Sequence, residues 1–190
     1  MEKYEGTKFE IVFLDKSVPV TKDSGELISW FRKFDRMGLA PEYGLGSSGN
    51  LSFRHLGGFV IKSTKTYFRS IGPEDLVFVE RLDLKNRKAY VRGSLEPSTE
   101  LALHHLIYEN MKEINAVFHV HDYKIMEKAR KNLIPITKET EAGTEKIGYD
   151  VIKCIDEKSI VIMKDHGIVS VGKSMKETGE NIVKWNKISQ

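Results

Sequence analysis

The run AVFHVHDYK at residues 116–124 sets two imidazoles one residue apart at the end of an apolar stretch. On a β-strand, side chains at i and i+2 project from one face, so His119 and His121 stand side by side about 6 to 7 Å apart along the strand. That spacing suits the gripping of one metal ion. Two imidazoles are only a partial site, because a divalent ion held for catalysis usually takes three protein ligands and keeps one position open for substrate. Taken alone, the pair also reads as two half-buried rings satisfied by backbone groups.

Three further stretches carry candidate chemistry. In MKDHGIVSVG (163–172), His166 follows the strand-like IVIM and precedes Gly167; by itself it is a turn or surface residue. In GSLEPSTELALHH (93–105), Glu100 falls in the first turn of a helix, where the helix dipole favours carboxylates whatever their chemistry. GLGSSGNLSFR (44–54) is a small-residue loop entering a strand, and it is neither a P-loop nor a dinucleotide fingerprint. The constellation is more specific than its parts. Three histidines at strand ends, a carboxylate at a helix start, and two loops rich in N–H and hydroxyl donors are what a metal enzyme acting on a phosphorylated substrate requires. The metal acts as a Lewis acid on oxygen, the carboxylate moves a proton, and the loops hold a dianion.

These residues must be positioned by alternating elements. Residues 8–14 read as an early strand, and TKDSGELISWFRKFDRMG (21–38) as an amphipathic helix capped by Ser24 or Asp23, with Ile28, Phe31 and Phe34 on one face and Gly38 ending it. SGNLSFRHLGGFVIKST (48–64) predicts two strands joined by a Gly-Gly turn. Strands follow at 76–79 and 89–91, joined by the charged, solvated RLDLKNRK, and a helix runs from about Thr99 to Met111, capped by Ser98 or Thr99. After the histidine strand come a helix at 122–131, a short strand at 133–137, a helix at 143–155, a strand at 159–164 and a terminal helix from about Ser174. The fold class is mixed α/β, with a central sheet covered by helices.

Composition narrows the function classes. At 190 residues, 40% hydrophobic and 30% charged, the chain can bury one real core and is most simply one domain. Thirty basic against 27 acidic residues, with the basic ones scattered, argue against a nucleic-acid surface while leaving an anionic metabolite unrepelled. The single Cys154 excludes an internal disulfide and a cysteine-rich zinc module. No apolar run approaches the ~18 residues of a membrane span, and MEKYEGTKFE lacks the apolar core of a signal peptide. The expectation is a soluble, cytoplasmic protein with neither membrane nor nucleic acid as partner.

In order along the chain, GLGSSGNLSFR, FVIKSTKTYFRSIGPEDLVFV, PSTELALHHLIYENMKEINAVFHVHD, EAGT and IVIMKDHGIVSVG resemble the class II aldolase/adducin family, from about Leu27 to the C-terminus. The resemblance implies a single three-layer domain at 23–190 around a largely antiparallel sheet, with 1–22 as an extension packed on or beside it. It implies that His119, His121 and His166 ligate Zn²⁺, or Co²⁺, Mn²⁺ or Fe²⁺, and that Glu100 is the acid/base. Ser47, Gly49, Asn50, Thr64, Ser98 and Thr99 match the family's phosphate-contacting positions. His55, His104 and His105 match no ligand position and read as structural.

The implied reaction is cleavage of a ketose 1-phosphate to dihydroxyacetone phosphate and an aldehyde through a metal-stabilised enediolate, in a homotetramer with sites at subunit boundaries. Epimerases, decarboxylases and non-catalytic adducin-like scaffolds share the family; retention of Glu100 favours the aldolases. Two positions depart from the aldolase pattern. Lys65 stands where a glycine is expected, and it either adds a counter-charge for phosphate or points into solvent. Fuculose-type aldolases have a tyrosine proton donor before the stretch matching EAGT, where this chain has Glu139, Thr140 and Glu141; Tyr123 is a substitute candidate. The C-terminal segment ends sooner than in many relatives, which implies a more open pocket or a lid from another segment.

Overall fold

Among the described residues the elements follow in the order β1 (Glu10–Asp15), α1 (Lys22–Arg36), β2 (Glu42–Tyr43), β3 (Gly46–Ser47), β4 (Asn50–His55), β5 (Gly58–Lys62), β6 (Leu76–Asp83), β7 (Lys88–Arg92), α2 (Leu101–Asn110), β8 (Ala116–Val120), α3 (Glu145–Cys154), β9 (Ile160–Met163), β10 (Gly167–Gly172) and α4 (Met175–Ile188). The computed structural model describes residues 8–17, 21–121, 134–138 and 143–188. Among these, eight strands form one sheet ordered β1-β7-β6-β5-β4-β8-β10-β9, and β2 pairs with β3 in a small ribbon. Only β1 and β7 pair in parallel; the other sheet neighbours are antiparallel.

Two apolar layers follow from the period of two along each strand. Leu51 and Phe53 of β4, with Ala116, Phe118 and Val120 of β8, share a cluster with Leu27, Phe31 and Phe34 of α1 and Ile182 of α4. On the other face, Ile61, Val77, Val117, Val169 and Val171 pack with Leu101, Leu103 and Ile107 of α2 and Ile147 and Val151 of α3. The result is a helix–sheet–helix sandwich. The parity of β8 that buries Ala116, Phe118 and Val120 under α1 turns Val117 and His119 toward α2. Among the described residues, no helix is long and apolar enough to cross a membrane.

Several local expectations are corrected. GIVSVG is a sheet strand, β10, which the sequence pattern did not separate from the turn before it: paired on both edges and buried on both faces, it shows no polar alternation. The first hairpin turns at Leu56 and Gly57, both at positive φ, and Gly58 already pairs with His55. Arg81–Asp83 continue β6, so the solvated connection shrinks to 84–87. The N-cap of α1 is Thr21, and Ser24 Oγ accepts the Thr21 N–H at 3.2 Å. Helix α2 starts at Leu101, making Glu100 its N-cap residue. In place of the strand at 133–137 there is one parallel bridge, Ile136 to Ile162. The helix expected at 122–131 lies outside the described residues, as do Tyr123 and Glu139.

Gly49 illustrates how tightly the chain closes around β8. Its φ is +88°, and a Cβ there would lie 2.6 Å from the His119 carbonyl oxygen. Gly49→Ala combines a left-handed backbone with a backbone clash and should cost about 2 to 4 kcal/mol, read as a lowered urea midpoint. An unchanged midpoint would show that the loop relaxes away from β8.

Candidate active site and metal centre

The site is assembled at one end of the sheet, where β4 starts and β8 ends. Antiparallel register sets Asn50 directly opposite His119, so both side chains face the N-terminus of α2 and Glu100. Strand β8 ends at Val120, and His121 stands one residue beyond, its N–H donating to the Leu39 carbonyl at 3.0 Å. That bond, from the segment following α1, bends the chain so that the two rings converge, with centroids 4.7 Å apart. His166 arrives from the turn between β9 and β10, where Asp165 takes a left-handed φ of +56° and the His166 N–H bonds the Met163 carbonyl. Gly167 lets it approach, since a Cβ there would lie 2.6 Å from His119 Cε1.

One ring nitrogen of each of these buried histidines lies within 4.8 Å of the others. His119 Nδ1 is 3.0 Å from the Ile168 carbonyl. A carbonyl only accepts, so Nδ1 carries the proton and a neutral ring presents a bare Nε2 to the cluster. That Nε2 lies 3.0 Å from His121 Nε2 and 3.2 Å from Glu100 Oε2, while His166 Nε2 lies 3.0 Å from Glu100 Oε1. Out of water, lone pairs converging at these distances must be separated by protons on the His121 and His166 nitrogens or by a cation bound among them. Three imidazoles with a carboxylate at their edge therefore fit a divalent metal ion, with the histidines as ligands.

Electrostatics agree with the geometry. Burial alone would raise the Glu100 carboxyl, and positive charge placed at the His119 and His166 rings outweighs it and holds the group well below the usual carboxylate range; with His119 neutral, a cation bound by the histidines would fill that role. Burial and the neighbouring rings of His119 and His166 push His121 well below the ordinary imidazole value. Asn50 Nδ2 donates to Glu100 Oε2 at 2.7 Å, so the carboxylate is gripped from both the strand side and the histidine side.

The loops expected to hold phosphate meet beside this cluster. Ser47 N–H donates to the Thr66 carbonyl, Ser98 N–H to the Lys62 carbonyl, and Ser63 bridges Pro97. Ser47 is buried and its Oγ accepts the Phe68 N–H at 3.1 Å, while Ser98 Oγ accepts the Glu100 N–H at 3.4 Å. Both side chains of Asn50 and Ser47 are thus engaged within the protein; Thr64 and Thr99 are half-buried, and Gly49 turns the loop. Lys65 is exposed with φ +56°, the left-handed conformation that suits glycine, so the backbone shape survives the replacement. His55 packs edge-on against Phe53 and Phe78, and His105 is half-buried. His104, set aside as structural, instead bonds Asn50 directly; its i+4 spacing from Glu100 was the available signal.

With this geometry in hand, comparison with known proteins assigns the class. The chain belongs to the family described as the class II aldolase and adducin N-terminal domain, which matches residues 25–190. An L-fuculose phosphate aldolase of Methanococcus maripaludis is 31% identical over 162 residues, covering 77% of this chain and 85% of the relative. A 5-methylthioribulose-1-phosphate/5-deoxyribulose-1-phosphate aldolase of Escherichia coli is 25% identical over 169 residues, covering 80% and 75%. Among solved structures, an L-fuculose 1-phosphate aldolase superposes with TM-score 0.72 at 21% identity, covering 90% of this chain and 86% of that one. A sugar-phosphate aldolase from Thermotoga maritima gives 0.73 at 17%, covering 88% and 92%. The fold is that of the class II aldolases.

Lys62 is the second residue the sequence did not mark. It ends β5, is buried, and its Nζ donates to the carbonyls of Ser47 and Thr66 at 3.2 Å each, tying two loops together. Burial lowers its pKa from 10.5 to about 8, against the opposing pull of Glu100 and Asp75. A folded pKa below the unfolded one means that the unfolded chain binds the extra proton between those values, so stability rises with pH across that window. Relative to Lys62→Met, the wild-type unfolding free energy should climb by about 2 kcal/mol between about pH 8 and pH 10. Parallel curves in urea titrations of the two chains would refute the buried ammonium.

Proposed function

We propose that the chain is a metal-dependent sugar-phosphate aldolase that cleaves a ketose 1-phosphate to dihydroxyacetone phosphate and an aldehyde. The observation that carries this reading is a single buried carboxylate, Glu100, held by Asn50 and lying against two of three converging imidazoles. The names of relatives near 30% identity support the substrate class. Zn²⁺, or Co²⁺, Mn²⁺ or Fe²⁺, on His119, His121 and His166 would supply Lewis-acid polarisation of the substrate oxygens.

The chain's own groups then have distinct tasks. In cleavage the C4 hydroxyl loses its proton, the C3–C4 bond breaks, and its electron pair stays on C3 as the aldehyde leaves. In synthesis Glu100, as the carboxylate, removes a proton from that carbon; in cleavage it takes up a proton from solvent as substrate binds and returns it there. The phosphate is assigned to the loop donors of Ser47, Gly49, Asn50, Thr64, Ser98 and Thr99, with Lys65 at the rim. The group exchanging the hydroxyl proton is assigned to Tyr123 or Glu139. The working assembly is taken to be a homotetramer.

Metal content and dihydroxyacetone phosphate release should be measured together across a panel of ketose 1-phosphates. His119→Ala should lose most of the metal and all detectable release. Glu100→Gln should keep the metal and lose release by about 10²-fold or more. Metal without cleavage of any panel member would move the assignment to an epimerase or decarboxylase, and a metal-free wild-type protein incapable of binding added metal would end the ligand assignment.

A further inference from the structure

Behind Glu100 and Asn50 runs a buried chain of polar side chains, His104, Ser52 and Tyr108, that the proposed reaction does not use. Glu100, His104 and Tyr108 occupy positions i, i+4 and i+8 on one row of α2, spaced about 6 Å apart along the axis. Asn50 and Ser52 occupy i and i+2 on the facing side of β4, spaced about 6.6 Å. The two periods nearly match, so the rows mesh and alternate: Glu100, Asn50, His104, Ser52, Tyr108. Asn50 Nδ2 meets Glu100 Oε2 at 2.7 Å, His104 Nε2 meets Asn50 Oδ1, His104 Nδ1 meets Ser52 Oγ at 2.6 Å, and Ser52 Oγ meets the Tyr108 hydroxyl at 2.8 Å. All five residues are buried.

The proton positions along this row are determined. The Glu100 carboxylate only accepts, so the Asn50 amide must turn its NH₂ toward it and its carbonyl toward His104. That carbonyl also only accepts, so His104 must be protonated on Nε2. Burial pushes the His104 pKa down to about 3, which keeps the ring neutral and leaves Nδ1 as an acceptor. Ser52 then donates to Nδ1 and accepts from Tyr108, whose own pKa burial drives upward. Every donor points toward Glu100. The opposite tautomer would set two lone pairs face to face at Asn50, or flip the amide and aim its oxygen at the carboxylate, at the cost of an unsatisfied buried polar group.

We propose that His104 is a positioning residue for the reaction: as the Nε2-protonated neutral tautomer it locks the Asn50 amide in the one orientation that donates to Glu100. This rests on the reading of Glu100 as the acid/base. Ser52 and Tyr108 extend the lock by fixing the tautomer, as an outer hydrogen-bond partner fixes a ligating imidazole.

The test combines a spectrum with kinetics. In long-range ¹H–¹⁵N spectra of the full chain, the His104 ring should be neutral with its proton on Nε2; an Nδ1-protonated or doubly protonated ring overturns the proposal whatever the substrate. His104→Phe keeps ring volume without the N–H and should lower kcat for dihydroxyacetone phosphate release by about 10- to 100-fold with KM little changed. His104→Gln, whose amide N–H can reach Asn50, should recover most of that loss. In an Asn50→Ala background, His104→Phe should add no further loss of kcat. Losses that multiply, a glutamine variant no better than phenylalanine, or a folded His104→Phe chain with wild-type kcat would each overturn it. If the wild-type chain cleaves no ketose 1-phosphate, the aldolase reading fails, and the tautomer spectrum still judges the lock.

Discussion

The bond from His119 Nδ1 to the Ile168 carbonyl leaves the other nitrogen of that ring bare, 3.0 Å from His121 Nε2 and 3.2 Å from a Glu100 oxygen. Lone pairs gathered this closely are unfavourable unless a proton on His121 or a positive charge lies among them. Much of the surrounding architecture serves to hold it together. The pairing of β8 with β10 supplies the Ile168 carbonyl, the Leu39 carbonyl bends His121 inward, and the left-handed turn at Asp165 delivers His166. A divalent cation bound there would stabilise the folded state by mass action as well as supply chemistry.

The second requirement is that a helix and a strand with different periods share one polar row. Four residues of α2 and two of β4 advance by nearly the same length, which lets a buried polar chain run between them with each donor matched to an acceptor. This is an expensive arrangement if any member is lost, because an orphaned buried group forfeits its hydration without compensation. It also helps a buried carboxylate at the start of α2 remain charged: the Asn50 amide donates to one of its oxygens, and a cation held by the adjoining histidines would supply the balancing charge.

On the loop side, Lys62 performs a related task with a cation. Its ammonium joins the Ser47 and Thr66 carbonyls, so the two donor-rich loops are tied from beneath rather than through their own side chains. Lys65 keeps the turn that follows at positive φ despite its Cβ. The neighbouring Ser63–Pro97 bridge and the Ser98–Lys62 bond then attach the second loop to the start of α2. The candidate loops and Glu100 are thereby tied to the same end of the sheet.

What the sequence by itself determined was a set of local facts. The H-x-H parity turned at least His119 to one face of a strand, because the period of two is local geometry. The alternation of apolar runs dictated a mixed sheet-and-helix domain, and the order of the motifs carried the family, which the match over residues 25–190 bears out. The three histidines and Glu100 were legible as residue types with metal and proton chemistry. Their convergence was not, because it depends on the β4–β8 register, on the Leu39 contact and on a β10 whose uniform burial erased its polar alternation. Likewise Lys62 carried no local signal that set it apart from an ordinary strand-end lysine, and the i+4 spacing of His104 from Glu100 is one that an ordinary helical histidine can share. Only tertiary structure, by removing water and leaving each with specific acceptors, decided what they do.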